Sequence, residues 1–572
     1  MIRKQGFLKA VALMCLCFGL LLTGCAEDDA SKTDLGVVDL EYYDQKGKQG
    51  FNEELFYRND LETSGADPSC IYVTEGEYEG CFFVYNTYIV GARGIYCMKS
   101  KDLTNWEYVD ECYVPELDSW GRTEIWAPDI IYDEEDGKYY LFYCANNTNQ
   151  DAGYTLTKYL GVAVSDSPAG PFVQYTGTNG NGTEIGIGTP LFDVELLGQD
   201  HPLYKKGTSI IDPCAFIDPV TGEKYLYMCR SRNAHQTNII CVVKMKDWFT
   251  PDYSTYTELT TVNATTYDGS EQTERMEGEI NEAPDMLYHD GKYYLTMSIN
   301  GASEKMYSII QAVGDSPIGP FKKIQESEGG LALGVNVEWD HIAAPGSHSF
   351  VYAGDELFIV YHQNINREAA GDMNRAITID RMEWVENASG LKLLKAVGPT
   401  YSVQPKPSII TGYRNVARDA KVEATNVVNG SSASYLNDGL VQFHESDCVQ
   451  QFYGENKIKI TMDFDDYVTA RALLLYNSYD YTDSFYQIER IDLSFRTTVD
   501  GKTVTGIARA EELYYDFETY SNIEAQTMRP GGPMILEFAE LEINKVTITV
   551  TCPQGQDLLG ISEIMLLGKE CE

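Results

Sequence analysis

From about residue 55 to 405 the chain runs in short apolar or alternating stretches punctuated by Gly, Asp, Asn and Pro, without a long 3.6-residue periodicity. That pattern predicts strands joined by turns. Five segments then share one shape: a polar or acidic residue beside a proline, a β run, a Gly/Asp turn and an aromatic β run. They begin at Asp67-Pro68-Ser69-Cys70, Trp126-Ala127-Pro128-Asp129, Ile211-Asp212-Pro213-Cys214, Glu282-Ala283-Pro284-Asp285 and Pro345-Gly346-Ser347-His348. A second echo accompanies them, Ser165-Asp166-Ser167-Pro168-Ala169-Gly170-Pro171-Phe172 recurring as Gly314-Asp315-Ser316-Pro317-Ile318-Gly319-Pro320-Phe321. A repeat of this length made of strands and turns is one four-stranded blade, and five blades close into a β-propeller whose innermost strands face a central channel. A sandwich with coincidental Asp-Pro turns would not repeat two independent signatures. The expected class is all-β.

Near residue 405 the pattern changes at Val403-Gln404-Pro405-Lys406-Pro407. Beyond it, Lys457-Ile458-Lys459-Ile460-Thr461-Met462 and Lys545-Val546-Thr547-Ile548-Thr549-Val550 alternate as half-buried strands do. With Tyr435-Leu436-Asn437-Asp438-Gly439 and the closing Gly560-Ile561-Ser562-Glu563-Ile564, the layout resembles discoidin-like (coagulation factor 5/8 type C) domains. The resemblance implies a carbohydrate-binding β-sandwich, a jelly roll. The expected organisation is a signal peptide over 1–24, a tether over 25–45, a propeller over 46–405 and the sandwich over 410–572.

The N-terminus reads as a targeting segment: Arg3, Lys4 and Lys9, then an apolar run from Ala10 to Leu22 too short to span a bilayer comfortably. It ends in Leu21-Leu22-Thr23-Gly24-Cys25, which resembles the lipobox of bacterial lipoproteins. That resemblance implies cleavage before Cys25, lipidation of Cys25, and a body anchored to a bacterial membrane at the cell surface or in the periplasm without spanning it. The formal net charge of −42 argues against a nucleic-acid partner and fits an extracellular body acting on a neutral polymer. The 14 cysteines are too sparse in 572 residues for a disulfide scaffold.

The repeats bring Asp67, Asp212 and Glu282, each within two residues of its repeat's proline, to the channel mouth. Three carboxylates around one pocket cannot all stay ionised cheaply, so at least one pKa must rise. Glycosidic cleavage needs that inequality, one carboxylate acting as base and one carboxylic acid as proton donor.

In order and spacing, Ala66-Asp67-Pro68-Ser69, Trp126-Ala127-Pro128-Asp129, Ile211-Asp212-Pro213, Glu282-Ala283-Pro284, Ser100-Lys101-Asp102-Leu103-Thr104-Asn105-Trp106 and Gly346-Ser347-His348-Ser349 resemble family-43 glycoside hydrolases over about residues 60–400. The resemblance implies a five-bladed propeller and an inverting O-glycosyl hydrolase acting on arabinose- and xylose-containing plant polysaccharides, of α-L-arabinofuranosidase or β-xylosidase type. It makes Asp67 the base, Glu282 the acid and Asp212 the residue that tunes the acid. Trp126 becomes a wall of the sugar subsite, and Arg375 a contact to sugar hydroxyls. His348 matches an axial histidine that binds substrate or a structural calcium; no cofactor is needed for the chemistry. Asp129 follows its proline and reads as structural. The acid segment departs from the commoner Glu-Gly-Pro, which leaves Glu279, just upstream, as a rival to Glu282; Glu277 lies nearby. Related five-bladed fructosidases would want Asn-Asp-Pro-Asn-Gly, Arg-Asp-Pro and Glu-Cys, and none is present. The alternatives are a non-catalytic glycan-binding surface lipoprotein, and a scaffold protein on the same anchor. A monomer is expected.

Overall fold

The computed structural model describes residues 32–43, 51–59, 63–87, 93–148, 157–192, 208–231, 237–336, 342–364, 374–443, 449–514 and 531–571. Cys25 and the targeting segment lie outside the described residues. The chain divides into two compact units, one of Glu53–Ile410 and one that joins Thr411–Glu572 to the N-terminal segment.

The Glu53–Ile410 unit holds five four-stranded antiparallel sheets, one with a short fifth strand. Their first strands are Ala66–Tyr72, Thr123–Asp133, Ser209–Ile217, Asn281–His289 and Ala343–Ala353. Each first strand packs against the first strands of its two neighbours and the ring closes, so these sheets are the blades of a five-bladed propeller and these strands line its channel. The second strands are nearly continuous apolar runs. Phe82–Thr87 is buried at every position, and Lys138–Asn146 at all but its first two. That burial is the sign of strands covered on both faces, here by adjacent blades. Closure joins the ends of the unit: Phe56–Tyr57 pairs with Gln404–Pro405, and the Ile377 N–H donates to the Thr63 carbonyl.

Each channel strand carries a register shift at its proline: between Ala66 and Ser69, Trp126 and Asp129, Ile211 and Cys214, Glu282 and Asp285, and Ala343 and Gly346. The residue before each proline sits in the left-handed region, with φ of 47° at Asp67, 45° at Ala127, 52° at Asp212, 48° at Ala283 and 53° at Ala344. Such a conformation costs a non-glycine residue about 1–3 kcal/mol and persists only where the surroundings over-determine it. A bulge of this kind re-aims the side chain beside it and leaves an amide outside the ladder. Blade five has a second bulge, between Gly346 and Ser349, with Ser347 at φ 47°.

The freed amides are taken up by the preceding blade. Asp67 N–H donates to His362 Nδ1 at 3.2 Å, Ala127 N–H to Thr87 Oγ1 at 2.6 Å and Ser347 N–H to Ser298 Oγ at 2.9 Å. Asp212 N–H donates to the Cys144 sulfur. Ala283 N–H donates to Asp212 Oδ2 at 3.0 Å. Two residues further along, a second belt closes the channel. Ser69 accepts from Ile130 N–H, Asp129 from Ala215 N–H, Cys214 from Met286 N–H, Asp285 from Phe350 N–H and Ser349 from Cys70 N–H. Asp129 therefore lies in a blade-to-blade seam, the structural place expected of it.

In the other unit, the long strands Lys457–Asn477 and Pro533–Thr551 pair antiparallel, and both change partners at register shifts. Their inward residues, with those of Gln487–Val499 and Leu559–Glu570, enclose one apolar core, as a β-sandwich does. One expectation is corrected here. Within the segment read as a tether, Lys32–Asp39 is a strand paired in parallel with Lys502–Tyr514, and Tyr42–Tyr43 pairs with Phe538 and Glu537. The acidic start of that segment masked the alternation of Val38 and Leu40, which pack on the core, with the exposed Val37 and Asp39. The ten described cysteines of the two units are all free thiols.

Asp129 and Asp285 are ringed by protein, and burial pushes their carboxyls up to about 7 and about 8, against the hydrogen bonds they accept. Because these values exceed the unfolded ones, the stability tied to these groups is full below about pH 4 and is lost as pH rises through 7 to 8. Asp129→Asn keeps an acceptor for Ala215 N–H and removes the titration. Calorimetry is expected to show its propeller transition above wild type by roughly 3 °C at pH 8.5, the gap closing towards pH 5.

Candidate active site

The bulges decide which side chains meet. Asp67 and Asp212 are themselves the left-handed residues of blades one and three, whereas Glu282 precedes the left-handed Ala283 by one residue, as Trp126 precedes Ala127. The three carboxylates thus come from two bulge positions rather than one. They converge all the same: Glu282 and Asp67 act electrostatically on Asp212, and Arg375 acts on all three.

Asp67 is held as an anion. Arg375 Nη1 donates to its Oδ1 at 3.1 Å, and both side chains are largely buried, 13% and 17% exposed. Burial alone would raise the Asp67 carboxyl. The Arg375 charge, with hydrogen bonds from Thr87 and Ser347, outweighs it and leaves the carboxyl below its ordinary value. The His362 contact, 3.4 Å from Nδ1 to Oδ1, is not an ion pair. Burial and the adjacent guanidinium push His362 down to about 3, so the ring is neutral, and its Nδ1 already accepts the Asp67 amide proton.

Asp212 and Glu282 behave in the opposite way. Burial and the charges of Glu282 and Asp67 drive Asp212 well above the usual carboxylate range, although it accepts the Ala283 amide. Burial likewise raises Glu282, to about 7, with Asp67 adding to the rise; hydrogen bonds from Tyr307 and Asn238 and the charge of Arg375 work against it. The Tyr307 hydroxyl lies 3.0 Å from Oε1 and Asn238 Nδ2 lies 3.3 Å from Oε2. Near neutral pH the site therefore holds a carboxylate on one side and a proton-carrying pair on the other.

Trp126 stands on the rim, 38% exposed. One face of its ring is covered by the buried Lys158 ammonium, 3.4 Å from the ring centroid, which also donates to Glu124 O and Asn146 Oδ1. His348 is not brought to the carboxylates. It is buried, its Nε2 pairs with Thr296 Oγ1 at 2.7 Å, and burial pushes it down to about 3. Its Nδ1 has no partner among the described residues, the single feature that would suit a ligand. Calcium takes 6–8 oxygen ligands. Among the described residues no three His, Cys, Asp or Glu converge on a common point, and one imidazole nitrogen does not build such a site. The expectation of His348 as a calcium ligand does not fit the donor set.

The rivals to Glu282 also resolve. Glu277 is buried in an ion pair with Lys323 at 2.6 Å and accepts from Asn263 N–H and Asn281 Nδ2, while Glu279 is exposed. Sequence reasoning missed His362, Tyr307, Asn238 and Lys158. His362 had a signal. It stands on its second strand in register with Thr87, Cys144, Cys229 and Ser298, each opposite a bulge, and at four of these five places, Cys229 excepted, the side chain takes a bulge amide. Tyr307 and Asn238 lie outside the repeated motifs and carried none.

The family model "Glycosyl hydrolases family 43" matches residues 58–389. Over 151 residues the chain is 30% identical to an extracellular endo-alpha-(1->5)-L-arabinanase of Thermotoga petrophila, covering 24% of this chain and 30% of that protein. Over 219 residues it is 27% identical to a beta-xylosidase of Xylanibacter ruminicola, covering 35% of this chain and 56% of that one. The chain thus spans between about a third and just over half of these curated relatives. Among solved structures, a thermostable family-43 glycoside hydrolase aligns with TM-score 0.47 and 26% identity, covering 61% of this chain and 99% of that one. An alpha-L-arabinofuranosidase from Lactobacillus brevis aligns with TM-score 0.42 and 17% identity, covering 59% and 95%.

Lys323 ties Glu277 to Asn281, the residue before Glu282, through a 2.8 Å bond to Asn281 Oδ1. Removing one partner of a buried pair strands the other charge at a cost of about 3–5 kcal/mol. Lys323→Met is accordingly expected to lower the midpoint of the propeller transition in denaturant melts by that equivalent, and Lys323→Met/Glu277→Leu to recover most of it.

Proposed function

The chain belongs to family 43 of the glycosyl hydrolases, and on that premise we propose that it is an inverting glycoside hydrolase acting on arabinose- or xylose-containing polysaccharides or their oligosaccharides. The observation that carries the reading is the unequal charge of the three channel carboxylates: Asp67 held low beside Arg375, Asp212 and Glu282 held high. Asp67 is the base. Its anion takes a proton from a water as that water attacks the anomeric carbon. Glu282 is the acid and gives its proton to the departing glycosidic oxygen on the opposite side. Asp212 is the residue that tunes the acid: its own carboxyl, raised by burial and by the charges of Glu282 and Asp67, competes with Glu282 for the proton, and it fixes the Ala283 amide beside the acid. Trp126 offers its open face to a sugar ring, an apolar-face contact of the kind aromatic side chains make.

The remaining features fit a surface enzyme. The residues Leu21-Leu22-Thr23-Gly24-Cys25 support a lipid on Cys25 and a place on the outside of a bacterial membrane. The C-terminal sandwich is read as a discoidin-like glycan-binding module, and the protein as a monomer.

General acid–base catalysis is worth about 10²–10⁴-fold. Asp67→Asn and Glu282→Gln are each expected to lose that much kcat on linear arabinan or xylo-oligosaccharides, with unchanged circular dichroism. Full activity in both variants refutes the roles. Arg375→Met removes the charge that holds Asp67 down, so the acidic limb of its kcat/KM profile is expected to move up by about one pH unit. The limb staying in place would contradict the pairing.

A further inference from the structure

We infer that Tyr307 is a positioning residue for Glu282, the last link of a hydrogen-bond chain whose direction is set by a backbone amide and which leaves Oε2 as the atom carrying the acid proton. This rests on the reading of Glu282 as the acid.

The chain begins at the second bulge of blade five. Ser347 N–H can only donate, and it donates to Ser298 Oγ at 2.9 Å. Ser298, having accepted, has its own hydroxyl proton to give, and it hydrogen-bonds the Tyr307 oxygen. Tyr307 in turn reaches Glu282 Oε1 at 3.0 Å. Every link therefore points the same way, towards the carboxyl, and Oε1 is always an acceptor. Among the described residues the other oxygen has only the longer Asn238 contact at 3.3 Å, which leaves a lone pair for a proton.

The ring itself cannot drift. Tyr307 is 1% exposed and lies near-parallel to His362, centroids 5.8 Å apart at 18°. On its other flank Gly346 is obligatory in size, since a Cβ there would stand 2.2 Å from Tyr307 Cε1. His362 also takes the Asp67 amide. One stack thus borders the base at one end and the acid at the other.

The consequence is chemical. As the leaving oxygen takes the proton, the Oε2–H bond breaks and its electron pair stays on the carboxylate. The hydroxyl of Tyr307 already points at the charge that forms, so no donor has to reorient in the transition state. A hydrogen bond to the charged form favours that form, so Tyr307 acts against the upward pull on Glu282 from burial and Asp67; Asn238 and Arg375 act with it, and Asp212 and Cys229 are the other titratable groups close by. The pair trims the acid to the working range instead of letting it stay protonated throughout.

Tyr307→Phe tests this, with Ser298→Ala as a variant that keeps the ring. The Glu282 carboxyl is followed without substrate by its 13Cδ signal in [5-13C]Glu-labelled full-length protein, assigned by its loss in Glu282→Gln. Losing one hydrogen bond to a carboxylate is expected to move that titration, and the alkaline limb of kcat/KM, upward by about one pH unit in Tyr307→Phe. Ser298→Ala should move both the same way by less. Turnover of an unactivated oligosaccharide should fall about tenfold, and that of a dinitrophenyl glycoside much less, because a good leaving group needs little acid help. A Glu282 titration unmoved in Tyr307→Phe, or equal losses on both substrates, overturns the inference. Glu282→Gln retaining turnover of the unactivated substrate would instead sink the assignment of the acid, so the two failures are distinguishable.

Discussion

Five strands approach one axis, and each places a left-handed residue immediately before a proline. Everything at the channel mouth follows from finding an acceptor for the amide that such a bulge frees. The acceptor comes from the preceding blade at all five principal sites: His362, Thr87, Cys144, Asp212 and the Lys305 carbonyl serve Asp67, Ala127, Asp212, Ala283 and Ala344. The strain at each bulge is held in place by a bond between blades, so the elements that close the propeller are the ones that aim its functional side chains. Asp212 does both at once. It is a bulge residue of blade three and the amide acceptor of blade four, so a carboxyl that feels the charge of Glu282 is also a rivet of the fold.

Charge sets the second constraint. Arg375 is bonded to one of the three carboxylates and not to the other two. Its position against Asp67 divides the trio into an anion and a proton-sharing pair, and the low dielectric of the channel keeps them divided. Lys158, the other buried cation near the site, is engaged with the Trp126 ring, a backbone carbonyl and Asn146. It steadies the rim more than it neutralises the acids. A second pair, Asp129 and Asp285, is pushed up chiefly by burial in the blade-to-blade seam, with the charge of Asp129 adding to the rise at Asp285.

The five-fold repeat was legible because a bulge before proline leaves a written trace: the same Pro beside a polar residue in every blade. The carboxylates were legible for the same reason. What could not be read was the offset between Asp67 and Asp212, at the bulge, and Glu282, one residue ahead of it; a proline marks a neighbourhood, not a side-chain direction. The histidine beside Asp67 escaped notice for a related reason. His348 shares its segment with a motif, whereas His362 stands where an apolar run gives way to Gln363 and Asn364, and acquires meaning only when the five second strands are laid in register. Tyr307 and Asn238 reach Glu282 from between repeats, where no pattern constrains them. The strand at Lys32–Asp39 was hidden because pairing with Lys502–Tyr514 is a property of two distant segments and not of either one alone.

Membership of family 43, with Asp67 held as an anion and Glu282 raised, points to a single displacement by water. Time-resolved 1H NMR of the first turnovers on an aryl α-L-arabinofuranoside or β-D-xyloside reads this directly, before mutarotation blurs the product. The structure predicts a first-formed sugar of anomeric configuration opposite to that of the bond cleaved. A product that retains the configuration would contradict it, because retention requires one of these carboxylates to bond to the sugar.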